Sequence, residues 1–157
     1  YDWKLVGKKE IYIPYHNYAF DGGSLDYDTL LPLGHPNPDY MRYELHRVWV
    51  VEANLKPGER HVYDKRTFYL DEDTWQIALA DQYDGRGELW RSKENHMVLH
   101  YQASVPWSSV GSSHDLISGR YLLIGLDNEE KGYQYNFDYL GKFEDFTPSA
   151  LRRAGRK

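Results

Sequence analysis

The chain is 157 residues long and acidic, with 24 Asp and Glu against 19 Lys and Arg, for a net charge of −5. That length suits a single domain with a real core, and the charge balance argues against a nucleic-acid partner, which calls for a basic stripe. There is no cysteine, which removes disulfides, thiolate zinc sites and a cysteine nucleophile, and no apolar run reaches membrane-span length.

Strand signals dominate in chain order. The opening "YDWKLVGKKEIYIPY" is already in strand pattern and has no initiator Met. It reads as the start of a fragment whose N-terminal part, with any export signal, is missing. Residues 21–40, "DGGSLDYDTLLPLGHPNPDY", are rich in Gly, Pro and Asp and are expected to form a long loop. "RYELHRVWVVEANL" (Arg42–Leu55) puts Tyr43, Leu45, Trp49, Val51, Ala53 and Leu55 on one parity and Arg42, Glu44, His46, Glu52 and Asn54 on the other. That is the period of a strand. Val48 and Val50 interrupt the polar parity, so the middle of this strand is expected to be covered on both faces. "KPGER" supplies turn chemistry.

"HVYDKRTFYLD" and "TWQIALADQYD" follow as strands, and the run from Glu88 to Val105 keeps Leu89, Met97, Leu99, Tyr101, Ala103 and Val105 in phase. "GRYLLIGLDNEE" and "GYQYNFDYLG" are two further candidates. Six or seven consecutive strands with short turns predict an antiparallel meander. The tail "TPSALRRAG" predicts a short helix over 147–155, with Thr147 as N-cap, Pro148 in the first turn and Gly155 at the end. Arg152, Arg153, Arg156 and Lys157 read as a solvated basic end.

The acidic, glycine-studded stretch "YLDEDTWQIALADQYDGRGELWR" (Tyr69–Arg91) invites a metal or phosphate reading. Asp71, Glu72 and Asp73 are consecutive, not alternating as a calcium loop requires. "DGRG" lacks the full phosphate-loop glycine pattern, and a strand is expected after it. Both are read as hairpin turns, and no metal or cofactor is expected. His96 and His100 have helical zinc spacing, but on a strand they stand about 13 Å apart. "GSSHD" (Gly111–Asp115) contains Ser, His and Asp, but adjacency does not make a triad. Arg47, Asp81 and Arg91 lie on otherwise apolar parities. They are read as charge pairs inside or at the rim of a barrel, or as polar groups that orient a ligand in an apolar cavity.

Three quoted stretches carry a family resemblance: "DWKLVGKKEIYIPYHNY", the run from Arg42 to Arg91, and "DFTPSALRRAG". They resemble the C-terminal portion of a family of Gram-negative envelope proteins, domain of unknown function 1329. That resemblance implies a longer exported protein, similar to outer-membrane lipoprotein-sorting proteins of the LolA/LolB kind. It implies a mainly β fold: a curved antiparallel meander forming a half-open barrel, with an apolar cavity for acyl chains and a short C-terminal helix. It carries no catalytic residue over.

The reading that follows is a single β-rich domain over 1–157 and a periplasmic, non-enzymatic binding or carrier protein. Its ligand is hydrophobic or acylated, and its wall residues are Trp49, Val51, Trp75, Ile77, Leu79, Met97, Leu99 and Tyr101. An envelope transporter or outer-membrane protein is the expected partner. The alternatives are a non-catalytic scaffold beside such a transporter, and an envelope enzyme using His, Asp and Tyr groups at the cavity mouth.

Overall fold

In the computed structural model, residues 1–131 and 135–155 are described. Seven strands form one antiparallel sheet in sequential order. They are β1 (Asp2–Pro14), β2 (Tyr43–Asn54), β3 (Lys65–Asp71), β4 (Ile77–Tyr83), β5 (Leu89–His100), β6 (Val105–Asp115) and β7 (Arg120–Ile124). Two one-turn helices, α1 (Tyr18–Asp21) and α2 (Tyr27–Leu30), lie between β1 and β2, and α3 (Pro148–Ala154) lies near the C-terminus. No helix among the described residues is long and apolar enough to cross a membrane.

The sheet is curved and open. β1 touches β4 and β5, whereas four strand spacings in a flat sheet would hold β1 about 19 Å from β5. The curl shuts over the face that carries Ile13, Val48, Val50 and Tyr69. Ile13, Val48, Ala78 and Met97 fill the inside as a buried cluster. One backbone bond, from Asn17 N to the Met97 carbonyl at 3.0 Å, links the segment after β1 to β5. β1 and β7 remain unpaired edges, so the half-open form holds and a closed barrel does not.

The middle of β2 is covered on both faces: Val48 is buried, and Trp49, Val50 and Val51 are half-buried. At its start the apolar residues are the exposed ones. Tyr43 and Leu45 face solvent, while Glu44 and His46 are half-buried, because the curl wraps over their side of the strand.

Three expectations change. The run from Glu88 to Val105 holds one strand, β5, which stops at His100 in a turn at 101–104 where Ala103 N donates to the His100 carbonyl and Ser104 takes φ 52°; Val105 opens β6, a strand not expected over 106–115. That turn contains neither Gly nor Pro, so the sequence hides it. The strand expected in "GYQYNFDYLG" is absent from its described part, Tyr135–Gly141, while Gly132, Tyr133 and Gln134 lie outside the described residues. Asn136 Oδ1 accepts from Asp138 N instead, the side-chain turn that asparagine favours. Finally, the 21–40 excursion is anchored. Phe20 and Leu30 are fully buried against Val110, Asp26 caps α2 through Thr29 N, and Tyr121 Oη donates to the Pro32 carbonyl at 2.7 Å. One-turn helices do not persist in water alone, so this burial is what holds them.

Both acidic stretches are hairpin turns. Asp84 Oδ1 accepts from Arg86 N and Glu88 N, and Gly87 supplies φ 80°. Asp71 Oδ2 accepts from Thr74 N and Thr74 Oγ1. At the C-terminus, Thr147 Oγ1 caps Ala150 N and Gly155 ends α3, which buries no residue.

Candidate functional site

On the face opposite the Ile13 cluster, one row of side chains runs across five strands: Phe68, Ala80, Lys93, Ser113 and Leu122 are successive ladder partners. Beside it, Asn95 pairs with Gly111 and Gly111 with Ile124. Ala80, Ser113 and Gly111 are small, so the middle of the row is low, whereas Phe68 on one side and Leu122 and Ile124 on the other stand high. The result is an open groove of about 340 Å³, at the lower end of the size range of small-molecule sites.

The groove joins apolar walls to a mixed lining in which Gln82, Lys93, Asn95 and Ser113 also take part. Leu122 and Ile124 are 58% and 67% exposed, so the apolar surface is available. Lys93 is exposed on the floor and makes no ion pair among the described residues. Arg66 also lines the groove, and its buried Nε lacks a hydrogen-bond partner.

The eight residues expected to form a wall are spread over several environments. Ile77 borders the groove. Leu79 borders it too, but packs against the Ile13 cluster. Val51 and Trp49 are ladder partners of Phe68 and Leu70, one strand beyond the groove, and Lys8 Nζ sits 4.3 Å from the Trp49 ring. Met97 belongs to the buried cluster, and Leu99 lines a 10 Å³ hollow with Tyr15, His16 and Pro106. Trp75 and Tyr101 lie in turns and are exposed. The bulge at Ala78, between the pairs Leu70–Ile77 and Tyr69–Leu79, is one reason a uniform parity does not carry across.

The polar three are satisfied internally. Arg47 clamps Glu72 with Nε to Oε2 at 2.8 Å and Nη2 to Oε1 at 2.5 Å. With Lys8 it holds the Glu72 carboxyl down to about 2. Asp81 accepts from Tyr69 Oη and Ser92 Oγ, each at 3.0 Å; burial and then the Asp81 charge push the Tyr69 phenol up. Arg91 donates to Asp115 at 3.0 Å and to Tyr63 Oη at 2.7 Å. The Ser118 backbone N–H, aided by Arg91, holds Asp115 down to about 2.

Two histidines meet at one serine. Ser112 Oγ lies 3.3 Å from His96 Nε2 and 3.2 Å from His114 Nε2. Ser112 is 3% exposed and His96 fully buried, and no carboxylate orients His96 Nδ1, which has no partner. A nucleophile needs an oriented base, and among the described residues nothing orients His96 through Nδ1. His100 lies elsewhere, against Tyr135 and Phe137.

Sequence reasoning missed Phe68, Ala80, Lys93, Asn95, Gly111, Ser113, Leu122 and Ile124 as a group. The usable signal was Gly111 inside a strand, which marks a place where something approaches the backbone closely.

Comparison with known proteins follows the same lines. The uncharacterized protein PA3922 of Pseudomonas aeruginosa is 57% identical over 155 residues, 99% of this chain and 34% of that protein. The chain therefore spans about a third of the length of that curated relative. A crystal structure of a DUF1329 family protein from Desulfovibrio piger superposes with a TM-score of 0.51 at 15% identity, covering 96% of this chain and 47% of that one. A Vibrio parahaemolyticus domain provisionally designated an outer membrane lipoprotein-sorting protein gives 0.48 at 16% identity, covering 69% and 43%. The family described as "Protein of unknown function (DUF1329)" matches residues 1–152, and the chain belongs to it.

Proposed function

We propose that this chain is part of a periplasmic, non-catalytic binding or carrier protein for a hydrophobic ligand with an acidic end. The observation that carries this reading is the groove across β3–β7, where Phe68 and the exposed Leu122 and Ile124 flank Lys93, which makes no ion pair among the described residues. An acyl chain laid along Phe68, Leu122 and Ile124 gains about 0.8 kcal/mol per buried CH₂. Lys93 then fixes the polarity of the ligand by meeting its carboxylate or phosphate, and Arg66 borders the same groove. Affinity comes from apolar area and orientation from the cation. Delivery to an envelope transporter or outer-membrane protein is the role such a carrier serves.

Native mass spectrometry of the gently purified full-length protein, with and without added palmitate, tests the reading. A one-to-one adduct is expected. A ligand-free species that ignores palmitate would reject the proposal.

A scaffold reading draws on β1. It is a 13-residue edge strand, exposed along most of its length, and unpaired edges accept partner strands. Hydrogen exchange of β1 amides in the full-length protein, slowed only when a partner is added, would favour this second reading.

A further inference from the structure

Away from the groove, on the face over which the sheet curls, β2 and the β3–β4 turn bring four charged or titratable side chains together. His46 Nδ1 lies 3.2 Å from Asp71 Oδ1 and 3.8 Å from Asp73 Oδ2. All three atoms fall within 4.8 Å of one another. On the far side of the ring, His46 Nε2 faces Glu44 Oε2 at 3.7 Å. Glu44 Oε1 is in turn held by His16 Nδ1 at 2.7 Å and Arg42 Nε at 3.1 Å. Tyr15 stacks on the His46 ring, with centroids 4.2 Å apart.

We propose that His46 Nδ1, Asp71 Oδ1 and Asp73 Oδ2 form a binding site for a divalent transition metal of the Zn²⁺ class. Three features beyond proximity point there. First, Asp71 is fully buried, yet no Lys or Arg pairs with Asp71 or Asp73 among the described residues. Buried carboxylates need a counter-charge. Second, the two Asp71 oxygens are differentiated: Oδ2 takes both hydrogen bonds from Thr74, which leaves Oδ1 directed at His46. Third, the imidazole is held in place from behind: Glu44 Oε2 stands 3.7 Å from Nε2, at ion-pair distance, and Tyr15 stacks on the ring.

The dimensions agree. Zn–N and Zn–O bonds of about 2.0–2.2 Å arranged tetrahedrally set donor atoms about 3.4 Å apart, and the observed 3.2 and 3.8 Å bracket that value. Asp73, whose side chain is 75% exposed, is free to adjust. Three protein donors leave the fourth position for water or a ligand atom. An imidazole with two carboxylates suits Zn²⁺ better than the all-oxygen preference of Ca²⁺ or Mg²⁺. The competing account is a protonated His46 balancing the carboxylates with no metal.

Calorimetric titration of the metal-stripped full-length protein with Zn²⁺ separates the two. One equivalent is expected to bind, at least tenfold more weakly in Asp73→Asn and not at this site in His46→Gln. Asp73→Asn is the decisive variant, because an exposed side chain is replaced and the fold is retained. Co²⁺ should give d–d absorption in the wild type that Asp73→Asn diminishes. No Zn²⁺ binding, or binding and Co²⁺ spectra unchanged by Asp73→Asn, would overturn the proposal.

Discussion

Val48 and Asp71 stand opposite each other in the β2–β3 ladder, and both are fully buried. An aliphatic side chain and a carboxylate thus share one dry place. The carboxylate is tolerated because Thr74 N and Thr74 Oγ1 donate to one oxygen and His46 faces the other. The same residue ends β3, closes the turn to β4 and anchors the imidazole. Asp71→Ala should therefore cost about 1–3 kcal/mol, because it strands the donors of the half-buried Thr74. Urea denaturation checks this; a change under 0.5 kcal/mol would mean that the turn holds itself.

Phe20 is the pin of the segment between β1 and β2. It is fully buried beside Leu30 and Val110, and its ring centroid lies 5.0 Å from that of His96. Phe20→Ala should lower stability by about 3–5 kcal/mol and release α1 and α2, which have little helical stability of their own. Hydrogen exchange should accelerate across 18–40 while β3 and β4 stay protected.

The groove can be filled without disturbing the ladder. A Cβ added at Gly111 would meet nothing within 4 Å, so Gly111→Leu should keep the fold and raise the floor into the ligand path. Palmitate binding should fall at least tenfold with unchanged circular dichroism. Lys93→Glu should weaken palmitate binding and leave a neutral long-chain alcohol nearly unaffected. Equal loss for both ligands would remove Lys93 from the account.

Burial, then the neighbouring His114, lowers the His96 imidazole to about 4, although Glu94 Oε2 is 3.7 Å away. The unfolded chain takes up this proton near 6.5, so the neutral imidazole favours folding above that pH. Its contribution shrinks as pH falls from about 6.5 to 4, with a slope of up to about 1.4 kcal/mol per pH unit. His96→Phe should flatten this part of the stability–pH curve in urea titrations at pH 4.5, 5.5 and 6.5. An unchanged slope would show that His96 takes up its proton alike in the folded and unfolded chain.

Much of the sheet was legible along the chain. Alternation over Arg42–Leu55, proline-glycine chemistry at 56–60 and the Thr147 cap each carry a local rule that survives folding. The turn at 101–104 was not legible, because in-phase residues lie on either side and Ser104 takes its positive φ without a glycine to announce it. The Lys93 floor was hidden for a different reason. A lysine on an exposed strand position looks like ordinary surface until Phe68 and Leu122, 54 residues apart by number, rise on either side of it.

Strand identity, hairpin turns and family membership rest on short-range patterns, since period-two alternation and turn propensities are properties of neighbouring residues. Which face closes into a core and which stays open as a groove was decided in three dimensions. The bulges near Val6, Ala78 and Ser109 reset side-chain direction along the strands, and the sheet's curl brings β1 onto β5. Pairings such as His46 with Asp71 and Ser112 with His96 exist only because the ladder register sets neighbouring strands side by side.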